Sequence, residues 1–229
     1  MIVHSVTQGS ADWLKLRAGI PTASAFDNIV TPSGAKSKSR ERYLHALLAE
    51  RMLGRPLTEH VSEWMARGST AEAEAVAYYE LQVDAATTPV GFITNDDKTI
   101  GASPDRLVGD DGLVEIKVPK DHVHVGYLRL KKADKTYFPQ LQGQLWITGR
   151  KWVDIMSYHP ELPTALVRVE RDEEFIKTLD EEVSAFSKEL EELAASFAAR
   201  GWIKKPLLWP DASATTFEVI DLGDAEPNF

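Results

Sequence analysis

The chain has 229 residues, six tryptophans, no cysteine and a net charge of −9. The lack of cysteine excludes disulfides, thiolate-bound zinc and cysteine-held iron–sulfur clusters, and it fits the cytoplasm. No run of about 18 apolar residues predicts a membrane-spanning helix, and Met1–Ser5 lacks the basic stretch of a secretory signal. An acidic chain argues against indiscriminate attachment to nucleic acid but allows a locally basic groove.

The N-terminal third is predicted to be mainly helical, because its apolar residues recur with a helical period. A Ser/Gly/Lys-rich stretch without apolar periodicity interrupts it and predicts a mobile basic loop. In chain order the expected elements are a short helix (11–19), a helix start capped by Thr22 and Ser24, the basic loop (31–40) and two helices (41–53 and 59–82).

The middle of the chain is rich in short β-type runs, and a Gly-Asp-Asp-Gly turn separates two of them. The predicted strands cover residues 89–94, 99–102, 105–108, 113–118, 153–158 and 165–169. The predicted helices of this part cover 137–148 and 175–200, while the basic stretch 122–135 is helix or loop. Strands flanked by helices predict an α/β domain with a mixed central sheet over residues 1–205, followed by a C-terminal extension of unknown role over 206–229.

One hairpin carries the candidate chemistry. Asp105 and Glu115 stand on either side of the predicted turn at 109–112. Glu115 and Lys117 are two residues apart on one strand, so they point to the same face, while Ile116 and its apolar neighbours point to the other. The hairpin therefore brings two carboxylates and one ammonium together.

Such a group suits phosphodiester hydrolysis. Two carboxylates bind Mg²⁺, the carbonyl oxygen of Ile116 is placed to be a further ligand, and the metal lowers the pKa of a bound water. Lys117 orients that water or neutralises the developing charge, and Ser103 fixes the approach to Asp105. The same spacing also occurs on exposed strands whose charges are solvated or weakly paired, so it is not specific by itself.

Five ordered segments give the pattern specificity. Ser103-Pro-Asp105, followed by Glu115-Ile-Lys117, resembles the signature of the PD-(D/E)XK nucleases. The segments that match more narrowly are Gln8–Arg17 with Gly19–Ser24, Tyr43–Glu50, Gly68–Glu72 and Tyr137–Trp146. Together they resemble the phage lambda exonuclease family, also called YqaJ-type viral recombinase nucleases, over roughly residues 5–160. The resemblance implies a restriction-endonuclease-like fold.

The resemblance also implies roles for individual residues. Asp105, Glu115 and the Ile116 carbonyl would bind a first Mg²⁺, with Lys117 assisting the water. Glu72 would bind or orient a second metal, Gln140 would line the site, and Mn²⁺ would be able to replace Mg²⁺. The residues implied to bind a terminal 5′-phosphate are Arg17, Thr22, Ser24 and Ser103, a combination of planar cationic donors and hydroxyls that suits a phosphate dianion.

The function implied is a 5′→3′ exonuclease that digests one strand of duplex DNA from a 5′-phosphorylated end and leaves a 3′ single-stranded overhang for phage-type recombination. The family implies a homotrimeric ring around DNA, a single-strand annealing protein as partner, and the cytoplasm of a bacterial host, with the gene carried by a phage or prophage. A ring with a basic lining would reconcile the acidic composition, and the candidate lining residues are Lys36, Lys38, Arg40, Arg42 and the run 129–135.

Three alternatives stay open from the residues. One is a structure-specific or restriction-type endonuclease with the same chemistry. Another is a helicase-associated nuclease of the RecB type, although the missing cysteines disfavour its cysteine-cluster branch. The third is a catalytically inactive DNA-end-binding protein, against which the intact set of Asp105, Glu115 and Lys117 argues. His45 is expected to be a core histidine or a residue that supports the site.

Overall fold

The computed structural model describes residues 1–57, 63–130 and 132–203, without the side chains of 63–71. The predicted boundary at residue 205 and the extension that follows lie outside the described residues. The helices are α1 (Ala11–Arg17), α2 (Arg40–Leu53), α3 (Glu63–Val83), α4 (Asp121–Leu130), α5 (Phe138–Thr148) and α6 (Glu173–Ala199). Two 3₁₀ segments cover Ala23–Asn28 and Lys135–Tyr137.

The strands lie in two sheets within the described residues. Their bounds are β1 (Ile2–His4), β2 (Thr87–Pro89), β3 (Phe92–Thr94), β4 (Gly101–Ala102), β5 (Arg106–Val108), β6 (Gly112–Lys117), β7 (Trp152–Ser157) and β8 (Ala165–Glu170). The larger sheet has the order β2-β5-β6-β7-β8 and the smaller one β1-β3-β4. Among the strands that the structure describes, β6 and β7 alone pair in parallel, so the central sheet is mixed and the predicted α/β class is confirmed.

Strand β6 is the central strand of the larger sheet, and helices cover both of its faces. Val114 and Ile116 pack with Val76 and Tyr79 of α3 on one face. Leu113 packs with α5 on the other face, through apolar side chains at Leu141 and Leu145. Alternation along the strand puts Glu115 on the α5 face, and the helix therefore brings its polar residues to that carboxylate.

Helix α6 packs against the helices of the N-terminal half and contributes many of the apolar residues of their core. Its apolar stripe, which includes Leu179, Val183 and Phe186, packs against α2 and the 3₁₀ segment that contains Phe26. Asp172 caps α6 by accepting a hydrogen bond from the backbone N–H of Phe175 at 3.0 Å. Among the helices that the structure describes, none combines the length and the apolarity needed to cross a bilayer.

The single strand predicted over 89–94 is wrong, because the segment divides at Val90-Gly91 between the two sheets. Gly91 explains the break: a Cβ at that position would collide with the carbonyl oxygen of Val6. The segment can thus pass close to the N-terminal strand only with glycine there. The strand β1 was not predicted, since three residues are too short to show alternation.

Two side-chain predictions in the N-terminal third are also wrong. Thr22 precedes a 3₁₀ segment and its hydroxyl makes no capping bond, because that hydroxyl contacts Arg17 instead. His45 is exposed on α2, because it lies about 100° around the helix from Leu44, outside the stripe of Leu44, Leu47 and Leu48 that faces the core.

The basic loop predicted over 31–40 has no helix or regular strand as far as residue 39, and Arg40 begins α2. Hydrogen bonds such as that from the Ser37 N–H to the Ile29 carbonyl (2.9 Å) hold the loop. Two of the proposed lining charges are compensated by α6. Arg40 pairs with Glu189 at 2.7 Å and Lys36 with Glu182 at 3.4 Å. These two residues therefore do not add net positive charge to a groove, whereas Lys38 and Arg42 are exposed.

Candidate active site

The predicted hairpin brings Asp105 beside Glu115-Ile116-Lys117. β5 and β6 pair antiparallel, with Arg106 opposite Val114. The side chain of Arg150 holds the turn by donating to the carbonyls of Gly109 at 2.6 Å and Gly112 at 2.7 Å. Across the hairpin, Asp105 Oδ2 accepts a hydrogen bond of 2.6 Å from the backbone N–H of Ile116. We call Asp105, Glu115 and Lys117 the carboxylate site.

Glu115 is almost fully buried and has three side-chain donors. Lys117 Nζ and Gln140 Nε2 each lie 2.6 Å from its Oε1. Gln144 Nε2 lies 2.7 Å from its Oε2. Gln140 thus lines the site as the sequence predicts, while Gln144 was not among the predicted site residues. The spacing of four residues between Gln140 and Gln144 was the sequence signal for this role, because it puts both amides on one face of α5.

The charges of the site are unevenly compensated. Burial raises the pKa of Asp105 well above its ordinary value, and Glu115 adds to the rise, while the Ile116 N–H and Lys117 oppose it. Burial lowers the pKa of Lys117, but Glu115 and Asp105 outweigh it, so the net shift is upward and the ammonium stays charged. Glu115 has three donors, so Asp105 is the carboxyl that lacks a counter-charge.

Glu72, on α3, lies at the edge of this group. Burial raises the pKa of this half-buried side chain, Arg106 opposes the rise, and Glu115 adds to it. Glu72 also contributes to the rise at Asp105. The three carboxyls thus share one electrostatic environment, although no three acidic or histidine side chains among the described residues converge as a ready-made metal cluster.

This donor set is chemically compatible with Mg²⁺. The ion is bound in proteins through one or two carboxylates, together with waters that it retains. A divalent cation would supply the positive charge that Asp105 lacks, and it would offset the burial and the repulsion from Glu115 that raise the pKa of Asp105. Asp105, Glu115 and the Ile116 carbonyl are the residues that would hold it.

A second polar cluster lies beside the carboxylate site, and we call it the Arg17 cluster (Arg17, Thr22, Ser24 and Ser103). The Arg17 guanidinium donates to the hydroxyls of Ser24 at 2.9 Å, Thr22 at 3.3 Å and Ser103 at 3.3 Å. All four residues predicted to bind a phosphate are thus together. The hydroxyl oxygens accept from the guanidinium, so their own protons are available for an anion, apart from the one shared in the 3.4 Å contact between Thr22 and Ser24.

Trp13 supports this cluster and was not predicted to do so. Its ring lies under the Arg17 guanidinium, 4.1 Å from ring centroid to Cζ, and its Nε1 donates to Ser103 Oγ at 2.9 Å. From the sequence, Trp13 was identifiable only as a core residue one helical turn before Arg17. Burial lowers the pKa of Arg17 to about 10, while Tyr43, Glu115 and Glu50 act to raise it.

A short stretch of chain joins the two clusters. Ser103 of the Arg17 cluster stands two residues before Asp105 of the carboxylate site, and Glu115 acts electrostatically on Arg17. A guanidinium with three hydroxyl partners and a pair of acids thus lie side by side.

The model of the YqaJ-like viral recombinase domain matches residues 12–151. Among solved structures, an alkaline exonuclease from Laribacter hongkongensis is 34% identical, with a TM-score of 0.75 over 84% of this chain and 98% of that chain. The same enzyme in complex with dAMP matches equally well. A phage-related exonuclease from Haemophilus somnus is 16% identical and shares the fold, with a TM-score of 0.63 over 78% of this chain and 96% of that one. A search of curated proteins found no match.

The match covers both clusters, from Trp13 to the end of α5, and the predicted restriction-endonuclease-like fold is confirmed by these neighbours. The chain belongs to the family of YqaJ-like viral recombinase domains, that of phage lambda exonuclease, and it is a nuclease of that type.

Proposed function

We propose that the protein is a Mg²⁺-dependent 5′→3′ exonuclease that digests one strand of duplex DNA and leaves a 3′ single-stranded overhang. The observation that carries the proposal is the position of Ser103, which contacts Arg17 at 3.3 Å and stands two residues before Asp105. A terminal 5′-phosphate bound by Arg17 would present the first phosphodiester to Asp105 and Glu115.

The residues of the site have different proposed roles in metal binding, water activation and positioning. Bound Mg²⁺, or Mn²⁺ in its place, would supply Lewis-acid activation of the phosphodiester and of the attacking water, and Glu72 is the residue proposed to serve a second ion. Lys117 is held 2.6 Å from Glu115 and keeps its charge, so it can orient the water and offset charge that develops on the phosphate. Gln140 and Gln144 fix Glu115 from α5.

The proposed recognition of a 5′-phosphate rests on chemistry and on one relative. A guanidinium with three hydroxyls offers both charged and neutral donors to a phosphate dianion. The Laribacter exonuclease has been crystallised with dAMP, a mononucleotide with a 5′-phosphate. The same class of ligand is proposed for the Arg17 cluster.

The test is digestion of a linear duplex with a label on one strand at a time, with Mg²⁺ or with a chelator. We expect Mg²⁺-dependent release of 5′-terminal label as mononucleotide, while the opposite strand persists. Rapid loss of covalently closed circles would instead identify an endonuclease. Unchanged Mg²⁺-dependent hydrolysis in Asp105→Ala would refute the assignment of the site, and an Asp12→Ala variant, altered at an exposed acid on α1, is the matched control.

Duplexes with a 5′-phosphate and a 5′-hydroxyl separate end recognition from catalysis. The phosphorylated end should be digested faster, and Arg17→Ala should abolish that difference, because a charge-assisted bond is worth about 1.5–3 kcal/mol, or roughly 10- to 150-fold in rate. Equal rates on both ends in the unaltered protein would refute the proposed role of the Arg17 cluster.

We also propose that the protein works as a homotrimeric ring beside a single-strand annealing protein, in the cytoplasm of a bacterial host. The family supports this proposal. The ring requires a solution mass three times 25.5 kDa, and light scattering that gives the mass of one chain would exclude it.

A further inference from the structure

Side chains of α2 hold the turn that joins Arg17 to Thr22 and Ser24, three of the four residues of the Arg17 cluster. Arg17 ends α1, and Thr22 and Ser24 follow after a short turn that contains Gly19. Gly19 is buried and adopts a φ of +70°, which few other residues tolerate. The geometry of this turn fixes how Arg17 meets its two hydroxyl partners.

Both backbone polar groups of Gly19 are bonded to adjacent residues of α2. The N–H of Gly19 donates to Glu50 Oε2 at 2.7 Å, and its carbonyl accepts from Arg51 Nε at 2.6 Å. Buried backbone groups are normally paired with other backbone or with a single side chain. Here two charged side chains of opposite sign hold a single peptide residue from both sides.

The clamp, by which we mean Glu50 and Arg51, is anchored at its other end. Glu50 Oε1 accepts from the backbone N–H of Leu57 at 3.0 Å, so both carboxylate oxygens are bonded. Arg51 reaches α6 through a contact of 2.6 Å to Glu191. The position of the turn is thereby tied to the packing of α2 on α6.

Tyr43 adds a third point of attachment on the same helix. Its hydroxyl accepts from the backbone N–H of Thr22 at 3.3 Å, and its ring stacks on Phe186 of α6 with centroids 5.5 Å apart. One attachment point, Gly19, lies two residues after Arg17. The other, Thr22, is itself a member of the Arg17 cluster. The hydrogen bonds inside that cluster measure 2.9–3.3 Å, so a displacement of about 1 Å would break them.

We propose that Glu50 and Arg51 are positioning residues for recognition of the 5′-phosphate, acting through Gly19 on the Arg17 cluster. The proposal rests on the proposed function. It assigns to α2 a part in specificity for the DNA end, although neither side chain touches the hydroxyls that receive the phosphate. Loss of the clamp should change the preference for a phosphorylated end more than the chemistry at Asp105 and Glu115.

The test compares initial rates on duplexes with 5′-phosphate and 5′-hydroxyl ends. We expect Glu50→Ala and Arg51→Ala to reduce the ratio of the two rates about tenfold, the effect of one lost hydrogen bond, while the rate on 5′-hydroxyl ends changes less than about twofold. Glu50→Gln keeps a carbonyl acceptor for Gly19 and should recover most of the ratio. The matched control is Glu189→Ala, which breaks a different ion pair between α2 and α6, at Arg40, without touching the turn.

Three outcomes would overturn the proposal. The first is an unchanged ratio in the alanine variants, even with a lower melting temperature, since the clamp would then serve only the fold. The second is an equal loss of rate on both ends. The third is a reduced ratio in Glu189→Ala as large as that in Glu50→Ala. If the alanine variants do not fold, Arg51→Lys decides, because it keeps the charge but has one nitrogen in place of the two that bond Gly19 and Glu191. An unchanged ratio in this variant refutes the clamp. Failure of the proposed function is visible separately, as no end preference in the unaltered protein.

Discussion

Replacing Asp105 by asparagine should abolish hydrolysis and stabilise the metal-free protein. Asp105 has one backbone donor, the N–H of Ile116 at 2.6 Å, and it faces Glu115, whose own charge already has three donors. An asparagine keeps an oxygen for Ile116 and removes the uncompensated charge. Relief of an undercompensated buried group is worth about 2 kcal/mol, which raises Tm by roughly 4–8 °C in a chain of this size.

The sign of the pH dependence follows from the raised pKa of Asp105. Between its ordinary value and the raised value, the folded protein holds the proton that the unfolded chain has released. The free energy of unfolding contributed by this group therefore falls as the pH rises through that interval. Asp105→Asn should remove this part of the pH dependence.

Thermal unfolding in EDTA and in Mg²⁺ measures both effects. Mg²⁺ at about ten times its Kd should stabilise the unaltered protein by about 1.4 kcal/mol and leave Asp105→Asn unchanged. Glu161→Gln, at an exposed carboxyl in the loop between β7 and β8, is the control for loss of a negative charge. A lower Tm for Asp105→Asn in EDTA, or an equal response of both proteins to Mg²⁺, would refute the reasoning.

Two further substitutions test the framework around the carboxylate site. Gln144→Leu keeps the bulk of the side chain but leaves Glu115 Oε2 without its donor. Activity or Mg²⁺ affinity should therefore fall about 10- to 100-fold. The measurement is the initial rate against Mg²⁺ concentration, and an unchanged curve would contradict the role of Gln144. Arg150→Ala removes the donor shared by the carbonyls of Gly109 and Gly112. The free energy of unfolding, measured in urea, should therefore drop by about 1–3 kcal/mol. The control is Lys151→Ala, at an exposed pair with Asp111, which should change that free energy by less than about 1 kcal/mol.

The hairpin was predictable because its signals are local. The turn at 109–112 and the alternation of Glu115, Ile116 and Lys117 place the charges on one face without knowledge of any other part of the chain. Gly149 likewise ends α5 as predicted, with a φ of +69°. Local patterns of this kind fix both the direction of a side chain and the end of a helix.

The contacts that were not predicted join residues far apart in sequence. Gln144 meets Glu115 across 29 residues and Trp13 meets Ser103 across 90, so no periodicity could pair them. The exposure of His45 was missed for a related reason. A histidine within an apolar helical pattern does not reveal which face of α2 the core covers.

The interval between Ser103 and Asp105 has a consequence for the size of the product. Two residues of extended chain span at most about 7 Å, so covalent geometry ties Ser103, the member of the Arg17 cluster nearest in sequence, to the carboxylate that would cut. No loop can lengthen this interval and no domain movement can open it. In the proposed enzyme the length of the released fragment is therefore measured by the backbone itself, and each hydrolytic event would release a fragment of the same short length.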